Sequence, residues 1–289
     1  MRIKALLLAA LVFATMLWGC SPEPTAEIAA TTLPVYQFTL RLCQDTGIRV
    51  TRLVTESVSC LHDYSLNVSQ VRAAEGAQVI VQSGMGLEDF MADILADGQI
   101  IDSSAGIEPV HCHHDDHGHA GHNHEQDPHI WLSPEKAKTM ADNICQGLCK
   151  YFPEHRDTFQ MNLSGLLADL DALQAYGEQQ LAQLSCRELI TFHDGFAYYA
   201  EAFDLHLVKA IEEESGSEAS AQELIELIEL VRTHDLPAIF TECNGSVSAA
   251  DIIARETGAS VYSLDMAMAG DDYFTAMRRN IDTIKEALG

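Results

Sequence analysis

Between Pro153 and Leu184 the chain has no strand-like run and no internal proline, while Phe159, Leu163, Leu166, Leu167, Leu170 and Leu173 recur at helical steps. Pro153 suits a first helical turn, where its missing N–H costs nothing. The spacing predicts one helix over 153–184. Gly165 and Gly177 weaken it locally, and no sustained heptad marks a coiled coil. At 1.5 Å per residue such a helix extends about 48 Å, more than a crossover within one domain needs. Two bodies on a stiff backbone are therefore expected.

Short β-branched runs lie on both sides of this stretch. Glu27–Thr31, Arg49–Val54, Gln78–Gln82 and Gln99–Asp102 read as strands before it, and Glu188–Phe192, His206–Ile211, Ala238–Thr241 and Ser260–Leu264 after it. Helical segments are expected at Val35–Thr46, Val68–Ala74, Leu87–Leu95, Ala221–Thr233, Val247–Thr257 and Tyr273–Leu288. Strands alternating with helices imply an α/β fold of two lobes, 27–152 and 185–289, each a mainly parallel four-stranded sheet with flanking helices. The two halves are not sequence repeats.

Arg2 and Lys4 precede an apolar run from Ala5 to Trp18, and Gly19-Cys20 follows. The run is shorter than the roughly 20 residues of a membrane span and reads as an export signal over 1–20. Cleavage before Cys20 resembles the bacterial lipoprotein signal, in which that cysteine takes the lipid and 21–26 becomes a tether. Losing Arg2 and Lys4 but no acidic residue leaves 15 basic against 43 acidic side chains, a formal charge of −28. Such a field repels phosphate backbones, so nucleic acid is excluded as a partner, and it gathers cations. Seven cysteines remain, at 43, 60, 112, 145, 149, 186 and 243, with no CxxC. Most are expected to be small buried hydrophobes, although export leaves room for a single bridge.

His111, His113, His114, His117, His119, His122 and His124 fall within fourteen residues, separated by Cys, Asp, Gly, Ala and Asn. Imidazole is a borderline-soft donor, neutral near physiological pH, and suits zinc, copper, nickel or iron better than calcium. The intervening residues favour a solvated loop that can sample ions without fixing one geometry. A rigid site is sought where open parallel sheets collect ligands, at the carboxyl ends of strands. His62, His129, His193, Glu242 and Asp265 stand there or at helix starts. Three imidazoles and a carboxylate make a tetrahedral zinc set with ligands from both lobes.

Leu61-His62-Asp63-Tyr64 with Ser69-Gln70-Val71 and Ser83-Gly84-Met85-Gly86-Leu87-Glu88, then Asp127-Pro128-His129-Ile130-Trp131-Leu132-Ser133-Pro134, then Phe192-His193-Asp194-Gly195-Phe196-Ala197-Tyr198-Tyr199 resemble the motifs of metal-binding lipoproteins serving zinc or manganese ABC importers. The resemblance spans the mature chain. It implies two α/β lobes joined by a long rigid helix, a cleft ion held by His62, His129 and His193 with Asp265 as carboxylate, and delivery to a membrane permease by a monomer anchored through Cys20. Departures occur at Leu61, Ser133 and Cys243, and Asp265 lacks the usual following proline, which leaves the fourth ligand among Asp265, Glu242 and water. An imidazole at 193, where manganese receptors usually carry a carboxylate, favours zinc; the alternative is a manganese or iron receptor. A zinc hydrolase lacks support, since neither His-Glu-x-x-His nor Gly-x-Ser-x-Gly occurs, so no enzyme is expected. An adhesin would need no internal ligand set.

Overall fold

The computed structural model describes residues 28–56, 61, 64–110, 126–211, 220–243, 248–268, 270 and 272–289. The signal, the tether with Cys20, His62 and the histidine-rich stretch 111–124 lie outside the described residues.

All eight expected strands are present. Ile28–Ala30 (β1), Val50–Arg52 (β2), Val79–Gln82 (β3) and Ile100–Asp102 (β4) form one sheet in the order β2-β1-β3-β4. Glu188–Thr191 (β5), His206–Ala210 (β6), Ala238–Glu242 (β7) and Ser260–Leu264 (β8) form the second in the order β6-β5-β7-β8. Every pairing is parallel. The two lobes thus share one topology without sharing sequence.

The helices are Leu33–Leu42 (α1), Val68–Gly76 (α2), Ala92–Asp97 (α3), Pro134–Tyr151 (α4), Arg156–Leu181 (α5), Ala197–Ala202 (α6), Ala221–Thr233 (α7), Ser248–Thr257 (α8) and Tyr273–Leu288 (α9). The expected long helix begins as a 3-10 turn, Pro153–His155, and becomes α-helical at Arg156. The segment expected at 87–95 divides into a 3-10 turn, Asp89–Met91, and α3. Helix α4 was not among the expected elements. Ser133 caps it by accepting the Lys136 N–H at 3.4 Å, Pro134 occupies its first turn, and Ala137, Met140, Ala141, Ile144, Cys145 and Leu148 bury one face.

Helix α5 packs on α1 and α4 of the first lobe and on α9 of the second. A single apolar cluster runs from Ile28 and Val81 through Trp131, Leu166 and Leu170 to Phe240 and Ile281, so the lobes share a core. Polar contacts cross the same interface: Trp131 Nε1 donates to Met266 O and Tyr273 Oη to Trp131 O, both at 2.7 Å. Among the described residues Cys43, Cys145 and Cys149 are buried and unbridged. Burial and the neighbouring Cys149 push the Cys145 thiol up to about 12, as suits a packing residue.

Candidate metal centre

His129 stands just before a 3-10 turn, Ile130–Leu132, at the entrance to α4. Asp127, fully buried, accepts the His129 backbone N–H at 2.9 Å through Oδ1, and the same oxygen lies 2.8 Å from His129 Nδ1. A carboxylate can only accept, so Nδ1 carries the ring proton and the lone pair falls on Nε2.

His193 follows β5, where the Thr191 hydroxyl donates to its carbonyl at 2.9 Å. Its Nδ1 is 2.8 Å from Oε1 of Glu242, the buried last residue of β7, in an ion-pair contact that lies off hydrogen-bond alignment. The opposite nitrogen, Nε2, is buried with no hydrogen-bond partner among the described residues. Such an orphan costs about 1–3 kcal/mol unless something meets it. Burial pushes the imidazole pKa down, yet Glu242 and then the Asp194 and Asp127 carboxylates more than offset this, and the net shift is upward. A proton therefore competes with any ion for this ring.

The two imidazoles meet edge to face, centroids 5.2 Å apart and planes at 81°. Gly195 permits this. A Cβ there would sit 2.6 Å from Met266 Cε and 2.8 Å from both His129 Nδ1 and His193 Cδ2. Two rings, one from each lobe, thus meet here, each with Nδ1 beside a buried carboxylate. Carboxylate–imidazole pairs of this kind orient metal-binding histidines and make them more basic.

Asp265 follows β8. Its backbone is held by reciprocal hydrogen bonds with Asn280, at 2.8 and 2.7 Å, while Oδ1 accepts the Ala267 N–H and Oδ2 lies 3.9 Å from Arg279. Among the described residues no three His, Cys, Asp or Glu side chains are grouped as one ion would need them. His129, His193 and Glu242 stand out in the sequence, whereas Asp127 as the support of His129 does not. The only signal for it is an Asp two residues before a histidine.

Residues 28–287 match the family model of the periplasmic zinc-uptake complex component A, ZnuA. The chain belongs to that family. A putative metal-binding protein of Treponema pallidum is 32% identical over 254 residues, covering 83% of this chain and 80% of that one. The zinc-binding lipoprotein AdcA of Streptococcus pneumoniae is 29% identical over 310 residues, 99% of this chain but 61% of its own length, so this chain spans about three-fifths of that relative. Among solved structures, a crystal structure of ZnuA superposes with a TM-score of 0.78 at 31% identity, over 91% of this chain and 99% of that one. The two-lobed fold expected from the sequence is thus the ZnuA fold.

Proposed function

We propose that this protein is an exported zinc receptor that holds one ion between its lobes and hands it to an ABC-type permease. The observation that carries this is the pairing of buried His129 with half-buried His193, each with a buried carboxylate beside Nδ1, and with the buried Nε2 of His193 unpartnered among the described residues. His62 and Asp265 complete the set in this reading, giving three nitrogens and one oxygen. A nitrogen-rich tetrahedral shell suits zinc better than manganese, which prefers more numerous oxygen donors. Capture and release need no bond chemistry, and no catalytic role is assigned to any residue. The acidic surface raises cation concentration near the cleft, and lipid on Cys20 keeps the monomer at the membrane face. His111 to His124 serve as a weaker, fast-exchanging collector, because closely spaced imidazoles interspersed with Gly, Asp and Asn offer an ion many alternative ligand sets instead of one.

Elemental analysis of the purified protein, with an anomalous scattering map, tests the reading. One tightly held zinc beside His129 and His193 is expected; an ion bound elsewhere overturns it. Deleting 111–124 and titrating zinc at about pH 7.5, where free imidazoles are neutral, should remove the weak events and spare the tight one.

A further inference from the structure

Tyr198 lies on α6, five residues beyond His193, and is fully buried. Among the described residues its hydroxyl meets three groups of the other lobe. The Val110 N–H donates to it at 3.1 Å, the Asp127 carbonyl oxygen lies at 3.1 Å, and the Met85 sulfur at 3.6 Å. A phenol has one proton to give, and a carbonyl accepts better than a thioether, so the proton goes to Asp127 and a lone pair faces Val110.

Val110 and Asp127 are also joined directly, the Asp127 N–H donating to Val110 O at 3.2 Å. Sixteen residues, His111 to Gln126, separate them in sequence and include the whole histidine-rich stretch. The neck of that insertion is therefore closed by one backbone hydrogen bond and one phenol from the opposite lobe. Asp127 forms one side of the neck, and its carboxylate supports His129. The adjacent Tyr199 is equally buried, yet its hydroxyl has no partner among the described residues.

Resting on the metal-site reading above, we propose that Tyr198 is a positioning residue for the ion. It fixes Asp127, and through it the His129 ring, so that ions taken up by residues 111–124 do not disturb the tight site. Tyr198 shares a segment with His193, and Asp127 shares one with His129. The phenol therefore also sets the spacing of the two rings.

The test compares wild type, Tyr198→Phe and Tyr199→Phe, each with and without residues 111–124. Three quantities are read: zinc release into excess chelator, the visible spectrum of the cobalt-loaded protein, and the apo thermal midpoint. Tyr199→Phe should match wild type in release and spectrum, since its hydroxyl meets no polar group of the described residues. Tyr198→Phe should release zinc roughly tenfold faster, the low end of what an outer support of a ligand commands, and shift the cobalt bands. Deleting the insertion should recover part of that loss in Tyr198→Phe and change nothing in wild type.

A lower midpoint with unchanged release and spectrum would make Tyr198 merely structural and overturn the inference. Should Tyr198→Phe not fold, amide exchange in the wild-type protein decides. Val110 and Asp127 amides as protected as those of β3 support the closed neck, and exchange at surface-loop rates overturns it. A wild-type protein with no tight zinc event defeats the site reading as well. One that binds tightly, loses the ion in His129→Ala and ignores Tyr198→Phe defeats this inference alone.

Discussion

The same strand order in both lobes places a crevice between the first and third strands of each, at their carboxyl ends, where open parallel sheets take ligands. A buried carboxylate sits at both. In the first lobe Glu88 accepts from the Thr31 hydroxyl at 2.6 Å, the Ser83 N–H at 2.7 Å and the Gly84 N–H at 3.0 Å. Gly84 turns with φ +93°, and a Cβ there would lie 2.2 Å from Asp102 Oδ1 and Ser104 Oγ. In the second lobe Glu242 faces an imidazole whose far nitrogen has no partner among the described residues. The difference lies in what the partners leave over. Backbone and hydroxyl donors close the first crevice with the protein's own anion, whereas an imidazole passes on an unused lone pair.

Changes at the second crevice should therefore read out as zinc affinity, and changes at the first as stability. The largest effect is expected for His129→Ala or His193→Ala. Loss of a ligand should exceed the 10–100-fold effect of an outer support and reach on the order of a thousandfold, about 4 kcal/mol. Calorimetry with unaltered zinc affinity in both would remove the second crevice from the site. Glu88→Ala should instead cost about 3 kcal/mol of folding stability, because buried N–H groups lose their acceptor, while the folded fraction binds zinc as before. A stable but zinc-blind Glu88→Ala protein would break the comparison.

Protonation gives a finer test of the first crevice. Burial raises the Glu88 pKa against the lowering effect of Thr31, Gly84 and Ser83, with Asp102 adding to the rise. A carboxyl whose folded pKa lies above its unfolded value, about 4.3, contributes stability that is full below that value and is lost as pH rises through the folded pKa. Urea unfolding of wild type and Glu88→Gln should show wild type losing ground steadily as pH rises through that window. A constant difference would mean that Glu88 does not titrate there. At the other crevice Glu242→Gln should weaken zinc roughly tenfold, far less than either histidine change, with Glu242→Asp restoring part of the loss.

Much of this frame is legible in the sequence, and the limits have physical causes. Strand existence follows from short β-branched and apolar runs, so all eight appear, β1 and β7 in the sheet centres buried throughout and the edge strands β2, β6 and β8 only in part. Strand ends shift by a residue or two because pairing fades gradually: β5 ends at Thr191, yet the Phe192 N–H still donates to Phe240 O of β7. Helix α4 is readable from Ser133-Pro134, but its stripe is rich in Ala and Cys, which weigh little in a hydrophobic pattern. The strand-end rule finds His193, Glu242 and Asp265. It cannot find Tyr198 on Asp127, residues 71 apart in sequence, because that contact exists only once the lobes have packed.

The smallest expected effect concerns shape. A receptor whose lobes met only through a flexible hinge would close widely around its ion. Here one apolar cluster passes through both lobes, and α5 packs on helices of each. Trp131 and Tyr273 add buried hydrogen bonds between residues 135 and 142 apart in sequence. Wide opening would expose that core, and each fully buried Leu or Phe returned to water costs about 1.5–3 kcal/mol. Exposing several would exceed what one bound ion can repay at ordinary concentrations. Loss of the ion should therefore shift loops and side chains at the strand ends while the lobes stay in register. Scattering from apo and zinc-loaded protein should give indistinguishable radii of gyration. A clear contraction on loading would show that the shared core is not the constraint and that the two lobes move as separate bodies.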